Sequence, residues 1–249
     1  KDLLPYLVRR LLENGANSSF VHKLVDEKVP IESLIEHPLT SLRRHASKAN
    51  HRIPLPSEIY GSERRNSRGI NLNIMSQWLP LKAELDKHMN ARWSGAPLVE
   101  GKRLAGEVKP VMCPYELSHQ VGEVIWATAE QTHQAIDSLA AAFPAWNATP
   151  VDERAAVLER TADLLEKHMP ELMAICTREA GKSLQDGIDE VREAVDFCRY
   201  YAVQARQRFA LITLPGPTGE SNELYLQGRG VFACISPWNF PLAIFLGQV

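Results

Sequence analysis

The sequence predicts a helix-rich α/β fold, and three observations carry that prediction. Between residues 129 and 208 apolar side chains recur three and four positions apart, the spacing of helices that bury one face. Between Trp93 and Thr128 glycines and prolines punctuate short apolar runs, as in β-hairpins. Gly230 to Ile235 is an apolar, β-rich run that passes through Ser236 and Pro237 into a second apolar stretch, Leu242 to Val249. That order reads as strand, turn and helix, and such turns are where open α/β sheets place ligands.

The bulk properties narrow the function classes. Of 249 residues, 45% are hydrophobic and 23% charged, ordinary values for a globular protein. The formal charge of −2 argues against a nucleic-acid surface, which needs a basic excess. No apolar run approaches the roughly 20 residues that span a membrane, and no signal peptide is visible. Four cysteines are scattered without metal-ligand pairing, as in a reducing, cytoplasmic setting. The eight histidines are dispersed, none in a helical metal-binding spacing; His22, His88 and His168 read as surface residues. The first residue is Lys1, and both ends fall within helical patterns, so the chain is expected to be an internal piece of a larger polypeptide.

In chain order, Asp2 to Asn14 carries Leu3, Leu4, Leu7, Val8, Leu11 and Leu12 on one helical face, with Gly15 placed as a C-cap. Tyr6, Arg9, Arg10 and Glu13 share the other face. They form either a solvated surface with pairs such as Tyr6–Arg10 and Arg9–Glu13, or a clamp for a small carboxylate, which adjacent arginines grip with two-pronged geometry. Ser18 or Ser19 caps a second helix through Val25, and Pro30 starts a third over Ile31 to Glu36, stopped at His37-Pro38. A further helical piece is expected over Leu39 to Ala49. Asn50 to Asn73, with two prolines, two glycines and little periodicity, reads as a linker, and its Arg64, Arg65 and Arg68 as solvated. A helical pattern resumes from Ile74 to Arg92.

Hairpins follow, with strands expected at Glu107–Val111 and Glu123–Ala127. Ala129 to Ala142 is an alanine-rich helix. Thr149-Pro150 starts another, with Asp152 in its first turn, running to His168. Pro170 opens a helix that ends near Gly181. A long helix spans about Leu184 to Arg208, with Ile188, Val191, Val195, Cys198 and Ala202 along its buried stripe. In the last stretch Asn239 suits a helix N-cap and Pro241 an early helical position. Trp238 and Phe240 suit core packing, while an Asn amide at a strand tip can also donate to an oxyanion.

Two sets of words resemble known families. Pro237-Trp-Asn-Phe-Pro241 after the run Gly-Val-Phe-Ala-Cys-Ile-Ser resembles the aldehyde dehydrogenase superfamily, as does Glu179-Ala-Gly-Lys182, which also reads as a glycine-capped helix end. The resemblance implies that Asn239 polarises the aldehyde oxygen and stabilises a tetrahedral thiohemiacetal. It implies too that Ile235, Pro237 and Trp238 line the nicotinamide end of an NAD site. Tyr6-Leu-Val-Arg-Arg-Leu-Leu-Glu13 resembles the last helix of the proline dehydrogenase barrel, as found in the bifunctional proline utilization A family. By that resemblance Arg9 and Arg10 ion-pair the proline carboxylate, Tyr6 packs beside the substrate, and Glu13 supports the arginines or the FAD.

The implied architecture is the C-terminal end of a (β/α)8 barrel over residues 1–28, a helical connection over 29–92, and the N-terminal part of an aldehyde dehydrogenase domain over 93–249, an incomplete Rossmann-like fold. The implied function is oxidation of L-proline to pyrroline-5-carboxylate with FAD, then of glutamate semialdehyde to L-glutamate with NAD. For the complete enzyme the resemblance implies a homo-oligomer, cytoplasmic or peripheral at an inner membrane, with a quinone or membrane as electron acceptor. Neither a nucleophile nor a glycine-rich phosphate loop is found here. Cys234 lies mid-run, and Cys113, Cys176 and Cys198 lack an electropositive neighbour, so all four are expected to be inert. The isolated chain is therefore expected to be inactive. Competing readings are a single-function aldehyde dehydrogenase with a helical extension, which the paired arginines oppose, and a non-catalytic scaffold.

Overall fold

The computed structural model describes residues 3–15, 20–45, 47 and 52–249, and the chain divides into two units, Lys1–Ile53 and Pro54–Val249. In the first, the expected opening helix forms as α1, Leu3–Gly15, followed by α2 (Phe20–Val25), α3 (Ile31–Leu34) and α4 (Pro38–Arg44). His37 does more than stop a helix. Its Nδ1 accepts from the Leu39 N–H at 3.2 Å, so it caps α4, which ends at Arg44 instead of Ala49. The Ser18 and Ser19 caps lie outside the described residues. Leu4, Leu7, Val8 and Leu12 on α1 remain exposed.

The second unit contradicts the expected linker. Residues 57–68 lie bound along a helix: the Ser67 N–H and hydroxyl donate to the Asp196 carboxylate at 2.8 and 2.7 Å, and Asn66 and Ser67 are buried. Arg64, expected to be solvated, sits 3.5 Å from Asp196 and stacks on Tyr60, its guanidinium carbon 3.7 Å from the ring centre. The partners of this stretch lie about 130 residues away in the chain, so local composition could not reveal them.

Helix α5 (Met75–Asp86) leads into the strands β1 (Trp93–Gly95), β2 (Leu98–Val99), β3 (Lys102–Arg103), β4 (Val108–Cys113) and β5 (Glu116–Ile125). β4 and β5 form the expected hairpin, and β1 joins β5 in parallel to give the order β1-β5-β4. Gly122 allows that pairing, since a Cβ there would lie 2.2 Å from the Trp93 carbonyl oxygen. Arg178, 2% exposed, ties this sheet down: it donates to the Ala91 carbonyl, meets His119 Nε2 at 2.9 Å and stacks on Trp93.

Helices α6 (Ala129–Ala148), α7 (Val151–Lys167), α8 (Met169–Ala180) and α9 (Leu184–Arg208) follow, then the ribbon of β6 (Ile212–Leu214) with β7 (Asn222–Leu224), and finally α10 (Ala243–Gln248). α6 runs past the expected end to Ala148, with Pro144 inside the helix, where it removes one backbone hydrogen bond. In α7, Pro150 occupies the N-cap position and Asp152 and Glu153 the first turn, where their charge opposes the helix dipole.

The core gathers around α9. Ile188, Val191, Val195 and Cys198 pack with Leu81 and Leu85 of α5, Ala162 of α7, and Met169, Met173 and Ala174 of α8. Charges are buried with them. Arg199 reaches Asp163 at 2.9 Å and Glu166 at 3.0 Å. Burial pushes the Glu166 carboxyl up, but the hydrogen bonds from Arg199 and from the Arg68 N–H outweigh it and hold it below the usual carboxylate range.

One expectation is overturned here. Gly230 to Ile235 forms no strand and pairs with none among the described residues. A strand draws its hydrogen bonds from neighbouring strands, and among the described residues this run has none; its Ile235 carbonyl accepts from a side chain, Gln248, instead.

Two outcomes are expected. Ile188→Ala opens a cavity where the side chain is 0% exposed and should cost about 2–5 kcal/mol by denaturant titration. Because the Glu166 carboxyl is held low, its contribution is present above the unfolded value of about 4.3 and lost as pH falls below it. Stability should therefore drop more steeply between about pH 5 and 3 in the wild type than in Glu166→Gln.

Candidate functional site

The residues singled out near the C-terminus are held by a chain of contacts that begins two helices earlier. α8 ends where Gly181 takes the left-handed conformation, φ 67°. The Lys182 N–H then bonds to the Cys176 carbonyl at 3.3 Å and the Gly181 N–H to the Thr177 carbonyl at 3.1 Å, the pattern of a glycine C-cap. Immediately afterwards Ser183 caps α9, its hydroxyl accepting from the Asp186 N–H at 3.2 Å and donating to the Asp186 carboxylate at 2.7 Å. These two caps fix the backbone on both sides of Lys182. Its ammonium comes within 2.8 Å of Glu190 Oε2, on a side chain with 0% exposure.

The other Glu190 oxygen, Oε1, accepts from the Leu242 N–H at 3.0 Å and the Ala243 N–H at 2.8 Å. These are amides at the start of α10, where no intrahelical acceptor exists, and a carboxylate there is favoured by the helix dipole. This corrects the expected cap. The N-cap residue is Leu242, and Glu190 does the work assigned to Asn239, leaving the Asn239 amide for another partner. Pro241 correspondingly lies outside the helix.

The turn itself is closed by the Phe240 N–H to the Pro237 carbonyl at 3.4 Å and by Gln248 Nε2 donating to the Ile235 carbonyl at 3.1 Å. The Phe240 ring lies 4.9 Å from the Lys182 ammonium, within cation–π range. The structure thus brings Ile235, Pro237, Trp238 and Asn239 together on one solvent-facing turn. Ile235 is 82% and Trp238 83% exposed, an unusual display of apolar surface beside a free amide donor. Glu190 was not singled out from sequence: it and Asp189 both lie between Ile188 and Val191, and only the fold buries Glu190 while leaving Asp189 exposed.

In the first unit, Tyr6 and Arg10 form the expected pair, the guanidinium carbon 5.4 Å from the ring centre. Arg9 is exposed beside them, about 100° further round the helix. The helix position of Glu13 is described, its side chain is not.

The four cysteines differ in their burial. Cys113, Cys176 and Cys198 are buried and Cys234 is half-buried. Burial, with the negative charge of Glu190 adding to it, pushes the Cys176 thiol up to about 11, and burial raises Cys198 as well. Among the described residues no group of three His, Cys, Asp or Glu side chains is placed to hold a metal ion, and no helix is long and apolar enough to cross a membrane.

Comparison with known proteins agrees with both ends of this picture. Residues 102–249 match the aldehyde dehydrogenase family and residues 1–23 match proline dehydrogenase. The "Bifunctional protein PutA" of Klebsiella aerogenes is 43% identical over 255 residues, covering 100% of this chain and 18% of that protein. The "1-pyrroline-5-carboxylate dehydrogenase 2" of Bacillus subtilis (strain 168) is 36% identical over 151 residues, 60% of this chain and 29% of that one. A crystal structure of a mutant of Bradyrhizobium japonicum proline utilization A superimposes with a TM-score of 0.76 at 44% identity, covering 100% of this chain and 22% of that one. The chain therefore spans about a fifth of the length of its bifunctional relatives.

With a thiol-reactive dye at pH 8, Cys234 should label first in the folded chain, and Cys113, Cys176 and Cys198 only on unfolding. Rapid labelling of Cys176 in the native state would show that its burial is misjudged.

Proposed function

The chain belongs to the aldehyde dehydrogenase family, and on that premise we propose that it is the junction of a bifunctional proline-catabolising oxidoreductase. One end contributes the substrate clamp of a proline dehydrogenase, the other the oxyanion-binding turn of a glutamate-semialdehyde dehydrogenase. The observation that carries the reading is the turn at 235–239. Its asparagine amide faces solvent, freed from capping duty, at the edge of an exposed apolar wall.

The chemistry follows from those groups. Addition of a thiolate to the aldehyde carbon turns the carbonyl oxygen into an oxyanion. The Asn239 side-chain N–H donates to that oxygen as charge develops, which lowers the barrier to addition. Three of the four thiols are buried and the fourth, Cys234, is only half-buried five residues before Asn239, so in this reading the attacking cysteine belongs to another part of the parent polypeptide. Trp238, Pro237 and Ile235 present a flat apolar surface that fits the nicotinamide face of NAD, which when bound accepts hydride from the adduct. At the other end Arg9 and Arg10 carry two fixed positive charges on one helix, suited to an amino-acid carboxylate, with the Tyr6 ring holding Arg10 in place. Glu13 would support that clamp or the FAD, which takes the electrons from proline; a quinone or membrane acceptor, a homo-oligomeric state and a cytoplasmic or membrane-peripheral location complete the reading. Residues 1–28 are the corresponding barrel end and 93–249 the dehydrogenase start; of the connection 29–92, the part from Pro54 onward belongs with the dehydrogenase unit.

In the complete polypeptide, Arg9→Met with Arg10→Met should lower kcat/KM for proline by at least about a hundredfold while leaving oxidation of supplied semialdehyde intact. Retained proline oxidation would refute the clamp. Asn239→Ala should lower kcat for the semialdehyde by about 10²–10³ and spare proline oxidation, read out as NADH formation and dye reduction respectively.

A further inference from the structure

We infer that Glu190, anchored by Lys182, is a positioning residue for aldehyde oxidation: it holds the turn so that the Asn239 amide stands ready for the oxyanion. This rests on the reading of Asn239 given above. Four observations carry it. The Glu190 side chain is wholly buried, although α9 offers exposed faces where a carboxylate would stay hydrated. Oε1 takes both the Leu242 and Ala243 amides, three and four residues beyond Asn239. Oε2 takes the Lys182 ammonium at 2.8 Å, and the same ammonium lies under the Phe240 ring, the residue next to Asn239. Lys182 in turn is held between the Gly181 C-cap and the Ser183 N-cap.

The physics makes this arrangement stiff. Among the described residues the Leu242 and Ala243 amides supply the hydrogen bonds of this buried carboxylate, whose Oε2 has the Lys182 ion pair but no hydrogen bond, so a drift of the turn would leave it with none, at a cost. Oxyanion donors are effective because they are aimed before the charge forms, and misplacement by about 1 Å costs on the order of a hundredfold. Two backbone bonds and a cation–π contact bracket Asn239 from its C-terminal side, and the Phe240 to Pro237 bond closes the other side. Glu190 touches no reacting atom. It acts through Asn239.

The test is a double-mutant cycle in the complete polypeptide, with sites counted by the NADH burst and assembly checked by proline oxidation. Glu190→Ala should lower kcat for semialdehyde roughly tenfold to a hundredfold with little change in KM. In an Asn239→Ala background it should lower kcat by less than about twofold, because the group it positions is gone. Glu190→Gln keeps an acceptor for the two amides and should recover most of the loss. Equal losses in both backgrounds would overturn the inference and leave Glu190 a structural residue. Amide hydrogen exchange gives a reading independent of catalysis: Glu190→Ala should speed exchange at Leu242 and Ala243 selectively, and unchanged exchange there would also overturn it. If Asn239→Ala alone proved harmless while exchange at Leu242 and Ala243 rose, the oxyanion role would fall and Glu190 would keep only its structural hold on the turn.

Discussion

Helix α9 buries two charges, Glu190 and Arg199, beside its apolar stripe, carries others that are partly exposed, and ties segments from across residues 54–249 to them. Asp196 draws the 57–68 segment against the helix through Ser67. Arg199 binds Asp163 and Glu166 of α7, and Arg206 binds Asp152 and Glu159 further along the same helix. Glu190 recruits Lys182 from the α8–α9 junction and two amides from the 242–243 backbone. Burying an unpaired charge costs far more than a missing apolar contact, so the pairings of Glu190 and Arg199, the buried ones, constrain where their flanking segments lie. The apolar stripe supplies most of the driving force, and the charges supply the register.

This division of labour explains how the 235–242 turn keeps its shape although it is exposed. Trp238 and Ile235 contribute almost nothing to their own placement, since they face solvent. Their position is inherited from Glu190 and from Gln248 bonding to the Ile235 carbonyl. The turn can then show apolar surface and an amide donor outward, while its stability is provided from behind. Loops that carry function on a rigid scaffold follow the same logic.

Periodicity revealed what periodicity encodes. The α9 boundaries and its stripe, the Gly181 end of α8 and the β4–β5 hairpin all follow from local pattern. Interactions across long sequence separations did not show. The 50–73 stretch looked like a linker because its partner, Asp196, lies far along the chain. Asn239 looked like an N-cap because the true capping group is a side chain from another helix. Gly230–Ile235 has strand composition, yet strand formation depends on neighbours. The Pro-Trp-Asn-Phe-Pro word did locate the candidate turn, and the Glu-Ala-Gly-Lys word located Lys182, whose tie to that turn emerged only in three dimensions.

The most direct test of this account is a crystal structure of the complete polypeptide trapped with an aldehyde adduct or its carboxylate product. The account predicts the Asn239 side-chain nitrogen about 2.7–3.1 Å from the former carbonyl oxygen, with Glu190 still bound to the Leu242 and Ala243 amides. An oxyanion held by other donors, with Asn239 turned away or Glu190 released from the turn, would contradict it.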